Sequence, residues 1–375
     1  TGEARRQWMV SLACLFHAAA ALAHPVKRVV VSGGTHGNEY TGVYVLKRIS
    51  LNAEAMSARY PSLEIETLLA NPLAHQTNRR FVDDDMNRMF TAERLARESP
   101  RGYEPRRAKE ISDALGPKGE WRGAAGDGQA ADLVVDLHTT TANMGCTIIV
   151  DSWCSFGMRA AAYASGQWDS ACRRAGVSSA QYPLRVLTED FTQAESPYLC
   201  SVGRHGLMIE VGPSAQGLLR ASCIAATELA LSLVFEFVDR CNRGDPPPLP
   251  PTLGVYVDVG SIPWPQQDDT LPEGVVHPSL QDADFVSLSK GGALFLMLDG
   301  TVVTYDGEAR SIGAAARLVR VVGNTPRTSA ACARLIGSFG DEVVPIFVNE
   351  AAYYYSQSGA GIGIATMREV SLQTE

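Results

Sequence analysis

Two short stretches carry residue types that can share one divalent cation. The first is Gly33-Gly34-Thr35-His36-Gly37-Asn38-Glu39. A His and a Glu three apart in a turn can face the same ion, since imidazole nitrogen and carboxylate oxygen are both good zinc ligands. The glycines let the backbone turn tightly enough for the two side chains to converge. Taken alone, H-x-x-E is a weak signal, and a polar loop is its plainer reading. A phosphate loop is disfavoured, because the turn lacks the Lys-Ser/Thr pair that holds phosphates and Mg²⁺. The second stretch is Asp132 to His138, an apolar run that ends in Thr139-Thr140-Thr141. Side chains alternate across a strand, so Asp136 and His138 point the same way, and Asp136 can accept a hydrogen bond from a ligand imidazole. A core histidine capping a strand is the alternative for His138. Two His and one Glu with a fourth position open to water make a catalytic zinc set.

A hydrolase of this design also needs a base, a group that polarises the carbonyl and a clamp for a carboxylate. Glu210 stands in Gly206-Leu207-Met208-Ile209-Glu210-Val211-Gly212-Pro213, an otherwise apolar strand. A carboxylate there is costly unless it is paired or placed in a site, which makes Glu210 the candidate general base; a structural salt bridge is the other reading. Arg79-Arg80-Phe81-Val82-Asp83-Asp84-Asp85-Met86-Asn87-Arg88 supplies positive groups. Guanidinium forks match a carboxylate or a developing oxyanion, although such a charged run is by default a solvated loop.

These residues need elements to position them. Val26 to Ser32 reads as a buried strand, Gly33 and Gly34 as a turn, and Thr41 to Met56 as a helix, the opening of an α/β unit. That places His36 beyond the carboxyl end of a strand, where α/β sheets bind ligands. Further strands are expected at Ile65–Ala70, Asp132–His138, Cys146–Asp151 and Leu207–Val211, and helices at Tyr103–Leu115, Met158–Ala175 and Leu218–Cys241. Phe81 to Phe90 reads as a loop. Asn242 to Pro251 holds five prolines and a glycine and reads as a linker. Short strands with Gly and Pro follow at Leu253–Val259, Gly274–His277, Ala293–Leu298, Thr301–Tyr305 and Val343–Val348. Ser311 to Phe339, rich in Ala and Arg, reads as an inserted surface segment or a mistranslated stretch.

Composition bounds the rest. The chain has 375 residues with 33 Lys and Arg against 41 Asp and Glu, a net charge of −8. The balance argues against a general nucleic-acid partner, and the 45% hydrophobic content suits a folded protein rather than a disordered one. None of the eight cysteines forms C-x-x-C, so they read as reduced core thiols. Trp8 to Ala23 is a nearly unbroken apolar run after Arg5 and Arg6, interrupted by His17 and ending in Ala21-Leu22-Ala23. It is short for a membrane span. It can be a secretory signal, a spurious or disordered leader, or a packed helix. The expected location is the cytoplasm, or outside the cell if the run is a true signal.

Together, His36-Gly37-Asn38-Glu39, Arg80 with Asp85-Met86-Asn87-Arg88, Asp136-Leu137-His138-Thr139-Thr140-Thr141-Ala142-Asn143-Met144-Gly145, Ile209-Glu210-Val211-Gly212-Pro213 and Asn349-Glu350-Ala351-Ala352-Tyr353-Tyr354 resemble the aspartoacylase family. The resemblance spans about Val26 to Ser356 and rests on the order and spacing of five motifs. It implies an α/β fold, a zinc carboxypeptidase-like mixed sheet flanked by helices with a smaller C-terminal β domain. The division it implies is a leader or extension at 1–25, a zinc hydrolase domain at 26–241 and a β-rich domain at 252–375 that covers the site, with 311–339 inserted. Carried over residue by residue, it implies that His36, Glu39 and His138 hold one zinc ion per subunit and that Glu210 is the general base. It implies that Arg80 polarises the scissile amide carbonyl, that Asn87 and Arg88 bind the α-carboxylate, and that Tyr353 hydrogen-bonds substrate. The role of Tyr353 comes from the resemblance only.

The implied partner is a small N-acyl amino acid, with no nucleic acid, no stable membrane span and room for a homo-oligomer. Within the family, aspartoacylase proper uses an Arg upstream of the base for the second carboxylate of acetylaspartate. Here that place falls at Cys200, with Ser196 in place of a tyrosine and Gln357 in place of a C-terminal lysine, while Arg204 and His205 are out of position. The stretches Thr140-to-Gly145 and His277-Pro278-Ser279-Leu280-Gln281-Asp282 resemble the aminoacylase branch, which prefers N-acyl aromatic amino acids and mercapturates. Neutral or aromatic substrates are therefore expected over acetylaspartate, because an unpaired buried charge costs several kcal/mol. The rivals are aspartoacylase activity, a carboxypeptidase-like peptidase, a binding protein without metal, and a β domain that the 311–339 segment keeps from folding.

Overall fold

The structure, a computed structural model, describes residues 25–119, 130–265, 272–305, 342–354 and 360–372. The apolar run Trp8–Ala23, the segment Ser311–Phe339 and Gln357 lie outside the described residues.

The strands are β1 (Arg28–Gly33), β2 (Glu64–Leu69), β3 (Leu133–Thr139), β4 (Gly145–Ile149), β5 (Leu184–Thr188), β6 (His205–Gly212), β7 (Thr252–Pro263), β8 (Gly274–Val276), β9 (Leu288–Ser289), β10 (Ala293–Met297), β11 (Val302–Thr304), β12 (Glu342–Ile346) and β13 (Ala360–Ser371). Ten of them form one mixed sheet in the order β2-β1-β3-β6-β4-β5-β7-β13-β12-β9. β2, β1, β3 and β6 are parallel to one another, and β4 runs antiparallel to β6. After the proline-rich stretch, β7 pairs with β5 in parallel and carries the same sheet on through β13 and β12. β11-β10-β8 form a separate three-stranded sheet.

The central strands are continuous apolar runs because both of their faces are covered. Val29, Val31, Val135, Ile148 and Ile209 turn to one side, against the helices Tyr40–Leu51, Ser155–Ala175 and Ala221–Asn242. Val30, Val134, Ile149 and Met208 turn to the other, against Met86, Phe90 and Ile111. Asp136 and His138 continue the Val134 series along β3, which puts them on the second side. The helix Ser155–Ala175 starts with the Cys154 sulfur accepting from the Gly157 amide and stops at Gly176, whose φ of 70° is the left-handed C-terminal cap that glycine supplies. Among the described residues one helix, Ala221–Asn242, is long and apolar enough to cross a membrane, and most of it is buried in this core. Cys146, Cys154, Cys172, Cys200 and Cys223 are free and buried, and Cys241 is free and half-buried.

Several elements differ from the sequence reading. The expected helix Thr41–Met56 is two helices, Tyr40–Leu51 and Ala53–Arg59, broken at Asn52, whose amide bonds back to the Arg48 and Ile49 carbonyls. The long helix begins at Ala221 rather than Leu218, and Leu218 and Leu219 are exposed. β5, β9 and β13 were not legible: β5 and β9 are short, and β13 opens on Ala and Gly, whose strand propensity is low.

Candidate active site

The turn after β1 is built for close approach. Gly34 has φ 68°, and a Cβ on Gly37 would sit 2.2 Å from the backbone of Ala74 and His75. That intimacy lets the Gly37 amide donate to the Arg80 carbonyl at 3.0 Å, which brings the Arg80 loop to the His36 turn. The loop is not simply solvated. Glu104, fully buried in the first turn of the helix Tyr103–Leu115, accepts from the amides of Val82, Asp83 and Asp84 at 2.6, 2.9 and 3.1 Å. Met86–Arg88 then forms one 3₁₀ turn, capped by Asp85 accepting from the Asn87 amide.

One donor atom from each of His36, Glu39 and His138 lies within 4.8 Å of the others, and all three residues are buried. The two imidazoles are held alike. Nδ1 of His36 and Nδ1 of His138 face the Glu39 carboxylate at 2.6 and 3.0 Å. Their Nε2 atoms face a second carboxylate each, Asp85 at 3.1 Å and Asp136 at 2.8 Å. Asp136 is itself fixed by the hydroxyls of Ser32 and Thr35. With Nε2–H donated outward, two nitrogen lone pairs and a carboxylate converge on one point, an arrangement that is repulsive unless positive charge sits there. Protons on the imidazoles supply that positive charge when no cation does. Burial by itself raises the Glu39 carboxyl, but the His36 and His138 charges outweigh it and hold it far below the usual range. Burial opposes charge on His138, but Asp136 and Glu39 push it well above its ordinary value. The donor set therefore fits zinc.

Glu210 pairs in register with His138 across β6 and β3, so the two side chains share a face. Its Oε1 is shielded from solvent and has no hydrogen-bond partner among the described residues. Burial first, then the charges of Glu39 and Glu350, raise its carboxyl well above the ordinary range. Arg80 bonds Asp85 through Nε and Nη2 at 3.2 and 3.1 Å and reaches toward Glu39 with Nη1 at 3.5 Å. Burial disfavours its charge, but Asp85, Glu39 and Glu350 outweigh that and keep it protonated. Asn87 is buried, accepts from the Leu199 amide at 3.0 Å and lies 3.5 Å from His138 Nε2. The Arg88 guanidinium lies 5.6 Å over the Tyr198 ring, and the Tyr198 hydroxyl donates to Glu189. Tyr353 comes from the far end of the chain. Burial raises its hydroxyl, and Arg88, Glu350 and Arg80 lie within electrostatic reach of it.

The structure thus brings all eight proposed residues, His36, Glu39, Arg80, Asn87, Arg88, His138, Glu210 and Tyr353, into one region. Cys200 is buried against Gly206, and burial followed by the charges of Asp151 and Asp136 raises its thiol. His205 opens β6 and Arg204 precedes it, roughly 17 and 20 Å from Glu210 at about 3.3 Å per residue. There Arg204 faces Asp132, and the His205 ring lies on Phe156. Sequence reasoning gave no role to Asp85, Glu104 or Glu350. For Glu104 the available signal was an acid on the buried face of an amphipathic helix.

Comparison with known proteins places this geometry. Residues 25–237 match the model of the succinylglutamate desuccinylase/aspartoacylase catalytic domain. The human N-acyl-aromatic-L-amino acid amidohydrolase (carboxylate-forming) is 34% identical over 334 residues, which cover 88% of this chain and 88% of that protein. Rat aspartoacylase is 32% identical over 334 residues, covering 88% of this chain and 90% of its own length. The crystal structure of murine aminoacylase 3 superposes with a TM-score of 0.72 at 30% identity, covering 93% of this chain and 98% of that one. By the family model, these identities and this shared fold, the chain belongs to the succinylglutamate desuccinylase/aspartoacylase family.

Proposed function

We propose that this protein is a zinc-dependent amidohydrolase that cleaves N-acyl-L-amino acids to a carboxylate and a free amino acid, with neutral or aromatic side chains preferred. The observation that carries the reading is the Oε1 of Glu210, without a hydrogen-bond partner among the described residues, beside the converging donors of His36, Glu39 and His138. Those three residues would hold the zinc, which when bound acts as a Lewis acid toward a carbonyl oxygen and an attacking water.

The chain's own groups do the rest. Glu210, with its raised proton affinity, takes a proton from the attacking water as its oxygen bonds the acyl carbon. Arg80 donates to the carbonyl oxygen as it gains negative charge. Glu210 then gives the proton to the leaving nitrogen as the C–N bond breaks. Asn87 and Arg88 bind the α-carboxylate and fix the amide for attack, and the Tyr353 hydroxyl bonds the substrate from the other wall. The preference for neutral side chains rests on the buried thiol of Cys200 and on the distance of Arg204. A second carboxylate at that place would meet a thiol rather than a guanidinium.

Acetylaspartate hydrolysis is the second reading, favoured by the identity to rat aspartoacylase. The test is a panel on the zinc-loaded full chain: N-acetyltyrosine, an N-acetylcysteine conjugate, N-acetylaspartate and a tripeptide. The expected order of kcat/KM puts the first two ahead. Fastest turnover of N-acetylaspartate would establish the second reading, and no turnover of any N-acyl amino acid would overturn both.

A further inference from the structure

Lys118 follows the helix Tyr103–Leu115 and belongs to no motif that the function absorbed. Its amine donates to the Phe90 carbonyl at 2.6 Å, to the Ser196 carbonyl at 2.8 Å and to Ser201 Oγ at 2.6 Å. These acceptors lie on two separate stretches that flank Arg88. The stretches are already joined to each other: the Phe90 amide donates to Pro197, the Ala92 amide to Ala194, and the Leu199 amide to the Asn87 side chain. The Arg88 guanidinium rests on the Tyr198 ring between them. Residues 86–92 and 194–201 therefore act as one body, and Lys118 ties that body to the end of a third element.

The tie is made of hydrogen bonds rather than an ion pair. All three acceptors are neutral, so burial lowers the amine to about 7 against opposing contributions from Cys200 and Asp151. Its two carbonyl bonds hold in either protonation state. An uncharged amine keeps two N–H groups for the two carbonyls, while the Ser201 hydroxyl donates to the Tyr198 carbonyl at 2.6 Å.

We propose that Lys118 is the positioning residue of the α-carboxylate clamp, fixing the joined 86–92 and 194–201 stretches to the end of the helix Tyr103–Leu115 so that Asn87 and Arg88 present their donors to the substrate. The proposal rests on the assignment of Asn87 and Arg88 above. Losing the tie removes the Lys118 donor from two carbonyls and lets the joined stretches shift against the helix end, and small displacements of positioning groups are costly in rate.

The test compares N-acetyltyrosine with N-acetyltyrosinamide, which lacks the carboxylate charge, on zinc-loaded full-length protein. The native protein is expected to favour the acid in kcat/KM. Lys118→Met keeps an unbranched side chain one atom shorter and without donors, and it is expected to reduce that preference about tenfold, mainly through KM for the acid, with zinc content unchanged. Lys118→Gln keeps one NH₂ group and is expected to fall between, and it decides the matter if the Met variant does not fold. A native protein indifferent to the carboxylate overturns the Asn87 and Arg88 assignment and this inference with it. A native preference that survives unchanged in a folded Lys118 variant overturns this inference alone.

Discussion

Glu350 accepts the backbone N–H of Thr141 at 2.9 Å, a contact between residues 209 positions apart. The same carboxylate accepts from the Thr140 hydroxyl. Thr140 and Thr141 directly follow β3, which carries His138, and Tyr353 follows Glu350 by three residues with its amide on the Glu350 carbonyl. One buried carboxylate thus couples the ligand strand to the late segment. That segment bends sharply on either side of Val348, with φ of 51° at Phe347 and 61° at Asn349; asparagine takes such a value readily, whereas phenylalanine does so only when its surroundings fix it. Glu350→Ala is expected to raise KM on the order of tenfold, with zinc still bound, because it loosens the segment that carries Tyr353 and leaves the Thr141 amide without its carboxylate acceptor. An unchanged KM would remove Glu350 from the site.

Glu210→Gln keeps the shape of the side chain and removes its basicity. We expect kcat to fall on the order of 10²–10⁴-fold, while zinc content measured on the purified variant stays at one per chain. Activity equal to native would refute the role of Glu210 as base.

Removing the metal is expected to abolish turnover and lower the melting temperature, because a ligand that binds only the folded state stabilises it. Dialysis against a chelator followed by zinc should restore both. His36→Ala or His138→Ala should not recover on adding zinc, since two donors and open space do not make the site. Full activity in protein stripped of metal would end the zinc reading.

Asp136→Asn addresses the outer support of the same site. The imidazole of His138 would lose a charged acceptor at 2.8 Å. Zinc affinity by competitive titration is expected to drop roughly 10–100-fold. An affinity equal to native would mean that β3 alone orients the ring.

His205, far from the site, adds to the acid sensitivity of the fold. Burial lowers it to about 4, against a pull upward from Asp132. An unfolded histidine titrates near 6.5. The folded value is depressed, so its contribution to stability is full above about 6.5 and is lost as pH falls through about 4. His205→Gln is expected to flatten the melting temperature between pH 6.5 and 4, and an unaltered slope would assign the acid sensitivity elsewhere.

What the sequence determined by itself is local. The His36-x-x-Glu39 spacing, the glycines that tighten its turn and the lone acid in the apolar run of β6 are legible because one strand or one turn sets which way each side chain points. The parity of Asp136 and His138 belongs to the same class. The tertiary structure alone decided which of these local features meet. His138 reaches Glu39 across 99 residues, Asp85 reaches His36 across 49, and Glu104 ties down the charged loop from a helix that had shown no chemistry. Strand order sets those meetings, and strand order is fixed by which apolar faces pack together over the whole sheet. No window of sequence contains that information, so a run such as Arg79 to Arg88 reads as a solvated loop until a buried carboxylate is seen to hold it.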